Sequence, residues 1–368
     1  GMIVKGKNAS GGIIGQTNQF VTVDGTKFLS EVEVTSENTH AGGVIGNAGA
    51  ETEIKNTIFN SRLTVSGDNS SGGIIGNTYV KATIDGANFQ SDVTVMSKND
   101  HAAGVLGITN KEADIENVTF SGRLTIYGYK SSGGILGSTG NKLKLWNISI
   151  GGPSAITSYT WDAGGVVGYV QSYDADIQNV KFIGKDAEVI AKQNAGGLCG
   201  TLTENTSELI ISNVAVSAFI QAEENAGGLI GRLQTSASEG KIEKSYYGGR
   251  TKEGQYASIK INNNAKEYTS NIHGSQKAGG LIGYIENTNG LTIDQCFSTG
   301  SVENGTNDQF AGGFIGVAEK SGVKIQNCYS IGKVGSQNNG GFIGYRRNSS
   351  DLTYENVYYL NTFNDPSV

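Results

Sequence analysis

The chain is short of residues that most folded domains use freely. Of 368 residues only 2 are Pro, 3 are Cys, 3 are His and 2 are Trp. Charged side chains make up 17 %, where about a quarter is usual. Three cysteines cannot build a disulfide framework. A disordered chain would be rich in Pro or in charge, and this one is rich in neither. No apolar run approaches the roughly 18 residues of a membrane-spanning helix, so no membrane insertion is expected. Net charge is −6 and no block is rich in Lys or Arg. Phosphate binding needs a basic footprint, so nucleic acid is not an expected partner.

What the chain has instead is Gly, at 55 positions, about twice the usual share. Collagen would need it at every third place, which it does not occupy. The glycines fall in a motif of the form small-Gly-Gly-apolar-apolar-Gly, present eleven times. It begins at Ser10, Ala41, Ser71, Ala102, Ser132, Ala163, Ala195, Ala226, Ala278, Ala311 and Asn339. The fourth copy puts Ala103 for the first Gly. Successive copies lie 31, 30, 31, 30, 31, 32, 31, 52, 33 and 28 residues apart. A fixed period near 30 marks a solenoid or an array.

Each repeat carries further strand signals. Val21-Thr22-Val23-Asp24 and Ala113-Asp114-Ile115-Glu116 alternate apolar and polar residues, as strands with one buried face do. Asn56, Asn117, Asn147, Asn179, Asn213, Asn327 and Asn356 follow these strands in one column. A large residue such as Phe28, Phe59, Phe89, Phe120 or Phe182 comes next, and then a third strand such as Leu124-Thr125-Ile126. Helical periodicity is missing throughout. The expected fold is an all-β, right-handed parallel β-helix (β-solenoid) of about eleven coils of roughly 30 residues, three short strands per coil, forming one domain over 1–368. Stacked about 4.8 Å apart, the coils make a rod about 50 Å long. The Asn column is expected to be an inward ladder at a bend. The Gly columns suit corners with φ > 0 or close backbone approach. Both apolar residues of each motif are expected to be buried by a bend at the flanking glycines. The 52-residue step implies an insertion within about 232–277 holding Tyr246, Tyr247, Tyr256 and Tyr268, and 351–368 reads as a partial terminal coil. The first six copies also alternate with a step of 61, Ser leading the odd ones and Ala the even ones.

Two segments resemble a known repeat family. Ile293-Asp294-Gln295-Cys296-Phe297-Ser298-Thr299-Gly300 runs into AGGFIG, and Ile325-Gln326-Asn327-Cys328-Tyr329-Ser330-Ile331-Gly332 runs into NGGFIG. Both are similar to GLUG-motif repeats, and the resemblance extends over nearly the whole chain. Earlier coils depart from it by placing Thr, Val or Ala where Cys stands. The resemblance implies a bacterial surface or secreted protein, adhesin-like, and it supplies no catalytic residues. Gly1 ahead of Met2 reads as the remnant of a tag, with a secretion signal trimmed away and the natural protein longer.

Candidate chemistry lies in four places. Tyr129, Tyr159 and Trp161 stand on the turns leading into adjacent motifs, flanked by Asp162 and His101. Rings on a polar turn suit sugar faces, against the plainer reading of scattered surface aromatics. Glu53, Asp85, Asp114 and Glu116 form an outward acidic cluster, with Lys55 and Lys144 interspersed. Two carboxylates about 5 Å apart suit a retaining glycosidase or a Ca²⁺ site, and a solvated face is the plainer alternative. His40 and His101 stand two rungs apart, too far for one metal, and His273 lies alone in the long step. Cys296 and Cys328 share a column, but in-register stacking points both the same way, so two buried thiols are expected rather than a bridge. Cys199 replaces an aliphatic and belongs to the core. The reading is therefore a non-enzymatic adhesin-like binding or spacer module at the cell surface, with a glycan or extracellular protein as partner and no cofactor or metal. The rivals are a polysaccharide-degrading enzyme and a pure stalk.

Overall fold

A computed structural model of the chain describes residues 1–235, 240–249, 258–261, 276–303, 310–335, 338–347 and 351–360. Every element among them is a strand, and every pairing is parallel, in register with the next copy of the repeat. Leu63 faces Val93, which faces Leu124. The chain is a β-solenoid.

The second to fifth coils each have four strand segments rather than three, because a bend at the two glycines splits the motif; in the sixth and seventh the motif tail and middle strand run together as Val167–Phe182 and Cys199–Val216, which leaves three. In the second copy Ala41–Gly42 and Ile45–Ala48 are separate strands, followed by Thr52–Phe59 and Leu63–Gly67. The short heads of the motifs form one eleven-stranded sheet and the last strands of the coils another. Motif tails and middle strands share a third sheet of 22 strands.

The bend has a hydrogen-bond signature. The carbonyl of Val44 accepts from both Ile13 N–H and Ile14 N–H, at 3.0 Å each, and Ile74 does the same for Val44 and Ile45. Two residues opposite one is the arrangement of a bulge, which turns successive side chains toward the same side. Both apolar residues are therefore buried, from Val44 and Ile45 to Phe314 and Ile315. Only the first coil leaves one open, with Ile13 46 % exposed. The motif glycines serve close approach, not positive φ. A Cβ on Gly73 would come within 2.0 Å of the Gly104 carbonyl oxygen.

Positive φ belongs to another column. Asn56, Asn117, Asn147, Asn179, Asn213, Asn327 and Asn356 all have φ between 51° and 57°. They are exposed, so the ladder faces outward and not into the core. The reason is backbone geometry: Asn tolerates the left-handed region at a sharp corner, and its amide then lies on the convex side. Each amide does bond the preceding coil, Asn213 to Asn179 at 3.0 Å, Asn179 to Asn147 at 3.1 Å and Asn147 to Asn117 at 3.1 Å.

Inside, Phe28, Phe59, Phe89 and Phe120 stack with centroids 4.2–4.9 Å apart. Cys199, Cys296 and Cys328 are free and buried. Along the 52-residue step, Lys241–Glu243, Tyr246–Tyr247 and Ser258–Ile261 are strands of the same ladders. Tyr256, Tyr268 and His273 lie outside the described residues.

Candidate functional site

The turn entering each motif explains the two-coil period and positions the exposed rings. Odd copies are entered by short turns such as Gly128-Tyr129-Lys130-Ser131, while even copies carry one residue more, as in Ser158-Tyr159-Thr160-Trp161-Asp162. The hydroxyl of the leading Ser secures the extra residue. Ser97 Oγ accepts from Asp100 N–H at 3.2 Å, and Ser158 Oγ accepts from Trp161 N–H at 3.3 Å. In odd turns that position is Gly, and the hydroxyl moves to the first motif residue. A Cβ on Gly128 would come within 2.5 Å of Ser132 Oγ, so both turns cannot carry the larger residue at both places. Small-residue packing thus fixes the alternation of Ser and Ala.

On these turns Tyr129, Tyr159 and Trp161 are 46 %, 58 % and 44 % exposed. Backbone bonds hold them across adjacent coils, Tyr159 N–H to Gly128 O at 3.1 Å and Trp161 N–H to Lys130 O at 3.2 Å. Lys130 Nζ lies 5.6 Å from the Trp161 ring centroid and 3.1 Å from Asp100. The three exposed rings thus stand on two adjacent turns joined by backbone bonds, with Lys130 and Asp100 at their edge.

His101 and Asp162 do not join that patch. They lie beneath it, 7 % and 4 % exposed, in the column immediately before the motif. That column runs His40, Ser70, His101, Ser131, Asp162, Asn194, Asn225. His40 Nδ1 accepts from Ser70 N–H at 3.3 Å. His101 Nε2 lies 3.1 Å from Asp100. Asp162 Oδ1 accepts from Asn194 Nδ2 at 2.7 Å, and Asn194 Oδ1 from Asn225 Nδ2 at 2.6 Å. Burial holds the His101 imidazole down to about 4 and pushes the Asp162 carboxyl up to about 6.

The acidic cluster takes the columns expected of it, and Lys55 and Lys144 pair with three of its four carboxylates. Asp85 and Glu116 are register partners, and Asp114 lies two residues before Glu116. Lys55 bonds Glu53 at 2.7 Å. Lys144 bonds Glu116 and lies 3.6 Å from Asp114. Asp85 has a structural task. At three of the four outer corners that lack an Asn, Gly25, Gly86 and Gln295, the residue before is Asp24, Asp85 or Asp294, and at the fourth, Lys244, it is Glu243. Each Asp accepts the next coil's amide, from Asn56 at 2.9 Å, Asn117 at 2.6 Å and Asn327 at 3.0 Å. Asp114 is raised above the usual carboxylate range, chiefly by burial and also by Glu116, with Lys144 opposing. It lines an open groove of about 340 Å³ with Lys81, Glu112, Lys142, Lys144 and Asp176. Among the described residues no group of three or more His, Cys, Asp or Glu could hold a metal.

One surface escaped the sequence reading. Tyr246, Phe297 and Tyr329 stack on the outside with centroids 4.7 and 4.9 Å apart, and Tyr358 continues their column, 68 % exposed. In the first seven coils the same column holds Lys27, Ile58, Asn88, Thr119, Ser149, Lys181 and Ala215. The signal was the pairing of Tyr246 with Ala215, hidden while Tyr246 was assigned to an insertion.

No family model, curated protein or solved structure matches the chain.

Proposed function

We propose that this chain is a non-enzymatic binding module, an extended β-solenoid of the surface-exposed, GLUG-like sort its motifs resemble, which presents a glycan-recognition patch on the turns entering the fifth and sixth motifs. The observation that carries the reading is the group of exposed rings of Tyr129, Tyr159 and Trp161 on adjacent turns. Large rings there fill no core, and backbone bonds to the neighbouring coil fix their spacing. Such a patch has an apolar body with polar groups at its edge, the composition of sites that hold a ring by stacking and orient it by hydrogen bonds. In this reading the partner is a glycan of an extracellular surface, the natural chain is part of a longer surface protein, and the remaining coils supply reach.

The test is a screen of the protein against arrayed glycans and extracellular matrix proteins. A bound glycan whose affinity falls at least tenfold, about 1.4 kcal/mol, in Trp161→Ala supports the site. Unchanged affinity in the Trp161→Ala, Tyr129→Ala double variant removes it. Silence across the array favours a spacer.

The rival enzyme reading has one observation behind it, the raised Asp114 carboxyl beside Glu116. A general acid needs such a shift. Lys144, bonded to Glu116 and 3.6 Å from Asp114, works against the role by opposing that shift.

A further inference from the structure

Asp162 is the residue next to Trp161, and it is sealed. Asp162, Asn194 and Asn225 are 4 %, 4 % and 3 % exposed and joined in series by the two amide bonds described above. The backbone around them is tied to both neighbouring coils: Ser132 N–H bonds Asp162 O at 3.0 Å, and Gln193 N–H bonds Trp161 O at 2.9 Å. Facing the carboxyl are the Thr201 hydroxyl, the buried thiol of Cys199 and, as the one charge that bears on it, Arg232. Arg232 is already paired with Glu286. Among the described residues Asp162 makes no salt bridge. A carboxylate ionised in that position loses hydration without gaining a counter-ion. The least costly remedy is local: the turn of residues 159–162, between the strands ending at Ser158 and starting at Ala163, carries the carboxyl and exposes Tyr159 and Trp161.

We propose that Asp162 is a pH-operated latch on the aromatic turn, which when neutral closes residues 159–162 against the solenoid and when ionised drives that turn outward toward water. The proposal rests on the reading of this turn as the binding patch, for which the latch sets the arrangement of the rings. In its closed form Trp161 is held by Lys130 O and Ser158 Oγ, in the geometry that presents it beside Tyr159 and Tyr129. Opening breaks that geometry. The same column supplies a control of opposite sense. His40 and His101 occupy the position Asp162 takes two coils on, and there the buried neutral form is the deprotonated one.

The chain has two tryptophans, so Trp146→Phe leaves Trp161 as the only indole. Acrylamide quenching of that variant is measured from pH 5 to pH 7.5. Quenching is expected to rise with pH, with a midpoint near 6 set by Asp162. The interval between about 6 and 3.8 allows the open-to-closed ratio to rise by as much as about 100-fold. Asp162→Asn, which keeps an acceptor for Asn194, flattens the profile, and Asp162→His reverses it. The unmutated protein gives the same information through the pH dependence of its two indole NMR resonances, should a variant fail to fold. A profile that is flat in the parent, or unchanged in Asp162→Asn, overturns the latch. The glycan array repeated at pH 5 and pH 7.5 should show stronger retention at pH 5. Retention that is equal at both pH values overturns the link to binding. If no glycan binds at either pH, the functional reading fails while quenching still decides the latch.

Discussion

The first four coils and the ninth and tenth solve the same packing problem with different residues. In the early coils the ring of each cross-section comes from the end of the middle strand, where Phe28, Phe59, Phe89 and Phe120 stack over one another. In the ninth and tenth coils that position shrinks to Ser298 and Ser330, whose buried hydroxyls have no hydrogen-bond partner among the described residues. The bulk arrives from elsewhere. Phe314 and Phe342 enter from the motif and stack at 4.5 Å, and Tyr247, the strand-end ring of the eighth coil, leans over toward Gly300, where a Cβ would meet its ring at 2.0 Å. With the interior filled from the motif, the strand-end rings of Tyr246, Phe297 and Tyr329 stand outside. Interior volume is the constrained quantity, and the residue that supplies it is free to move between columns.

The sharpest way to break this comparison is to remove one ring from each ladder. Phe89→Ala deletes a fully buried ring between two stacked neighbours and should cost about 3–5 kcal/mol. Phe297→Ala deletes a ring from the outer ladder, where stacking contributes about 0.5–1.5 kcal/mol. Urea unfolding of both variants checks the ratio. Equal losses would mean that the outer ladder is structural and not free surface.

The polar column gives the next largest contrast, in sign as well as size. His101 falls from 6.5 to about 4 on folding. Its stabilising contribution is full above pH 6.5 and is lost as pH falls through 4. Asp162 rises from 3.8 to about 6. Its contribution is full below pH 3.8 and is lost as pH rises through 6. Each shift corresponds to about 3 kcal/mol. Melting temperatures between pH 4 and 8 should therefore rise at the acid end in His101→Gln and at the alkaline end in Asp162→Asn. Parallel profiles for the two variants would refute the opposed signs.

The solenoid was legible because its cause is written in spacing. Eleven motif copies near a 30-residue period leave little choice of fold, and the alternation of Val21-Thr22-Val23-Asp24 assigns its faces correctly. What spacing could not show was direction at corners. The Asn column was found but turned inward, because an amide ladder by itself does not reveal that its backbone needs positive φ. Gly25 and Gly86 in the same column carry that clue, since they share only the left-handed conformation with Asn. The candidate patch was legible only in its exposed half. Tyr129, Tyr159 and Trp161 lie outside as expected, whereas His101 and Asp162 are sealed one residue away, because a turn reverses facing within a single step. The tie between Asp85 and Asn117 stayed hidden because it joins different columns of adjacent coils.

The outer corner offers a test at about 1 kcal/mol. Asn147 has φ 56° and bonds Asn117 on one side while receiving Asn179 on the other. Asn147→Gly keeps the backbone conformation and loses two exposed amide bonds, so it should be close to neutral. Asn147→Val loses the same bonds and also forces a β-branched residue into the left-handed region, at about 1–2 kcal/mol.

The smallest expected effect concerns the charged face. Lys144 keeps a third of its side chain exposed while it binds Glu116, and bridges of that kind contribute about 0–1 kcal/mol. Lys144→Met should thus barely change stability, but it removes the cation that opposes protonation of Asp114. If Asp114 and Glu116 were an acid and its partner, freeing them would leave one carboxyl neutral and the other charged, the arrangement that glycoside hydrolysis needs. Incubation of the parent and of Lys144→Met with a panel of polysaccharides, followed by assay of reducing ends, separates the readings. The expected result is no release from either. Release that Lys144→Met enhances and Asp114→Asn abolishes would move the function from the aromatic turn to this face, and the contrast between a charged, internally paired sheet and an unpaired aromatic turn would lose its meaning.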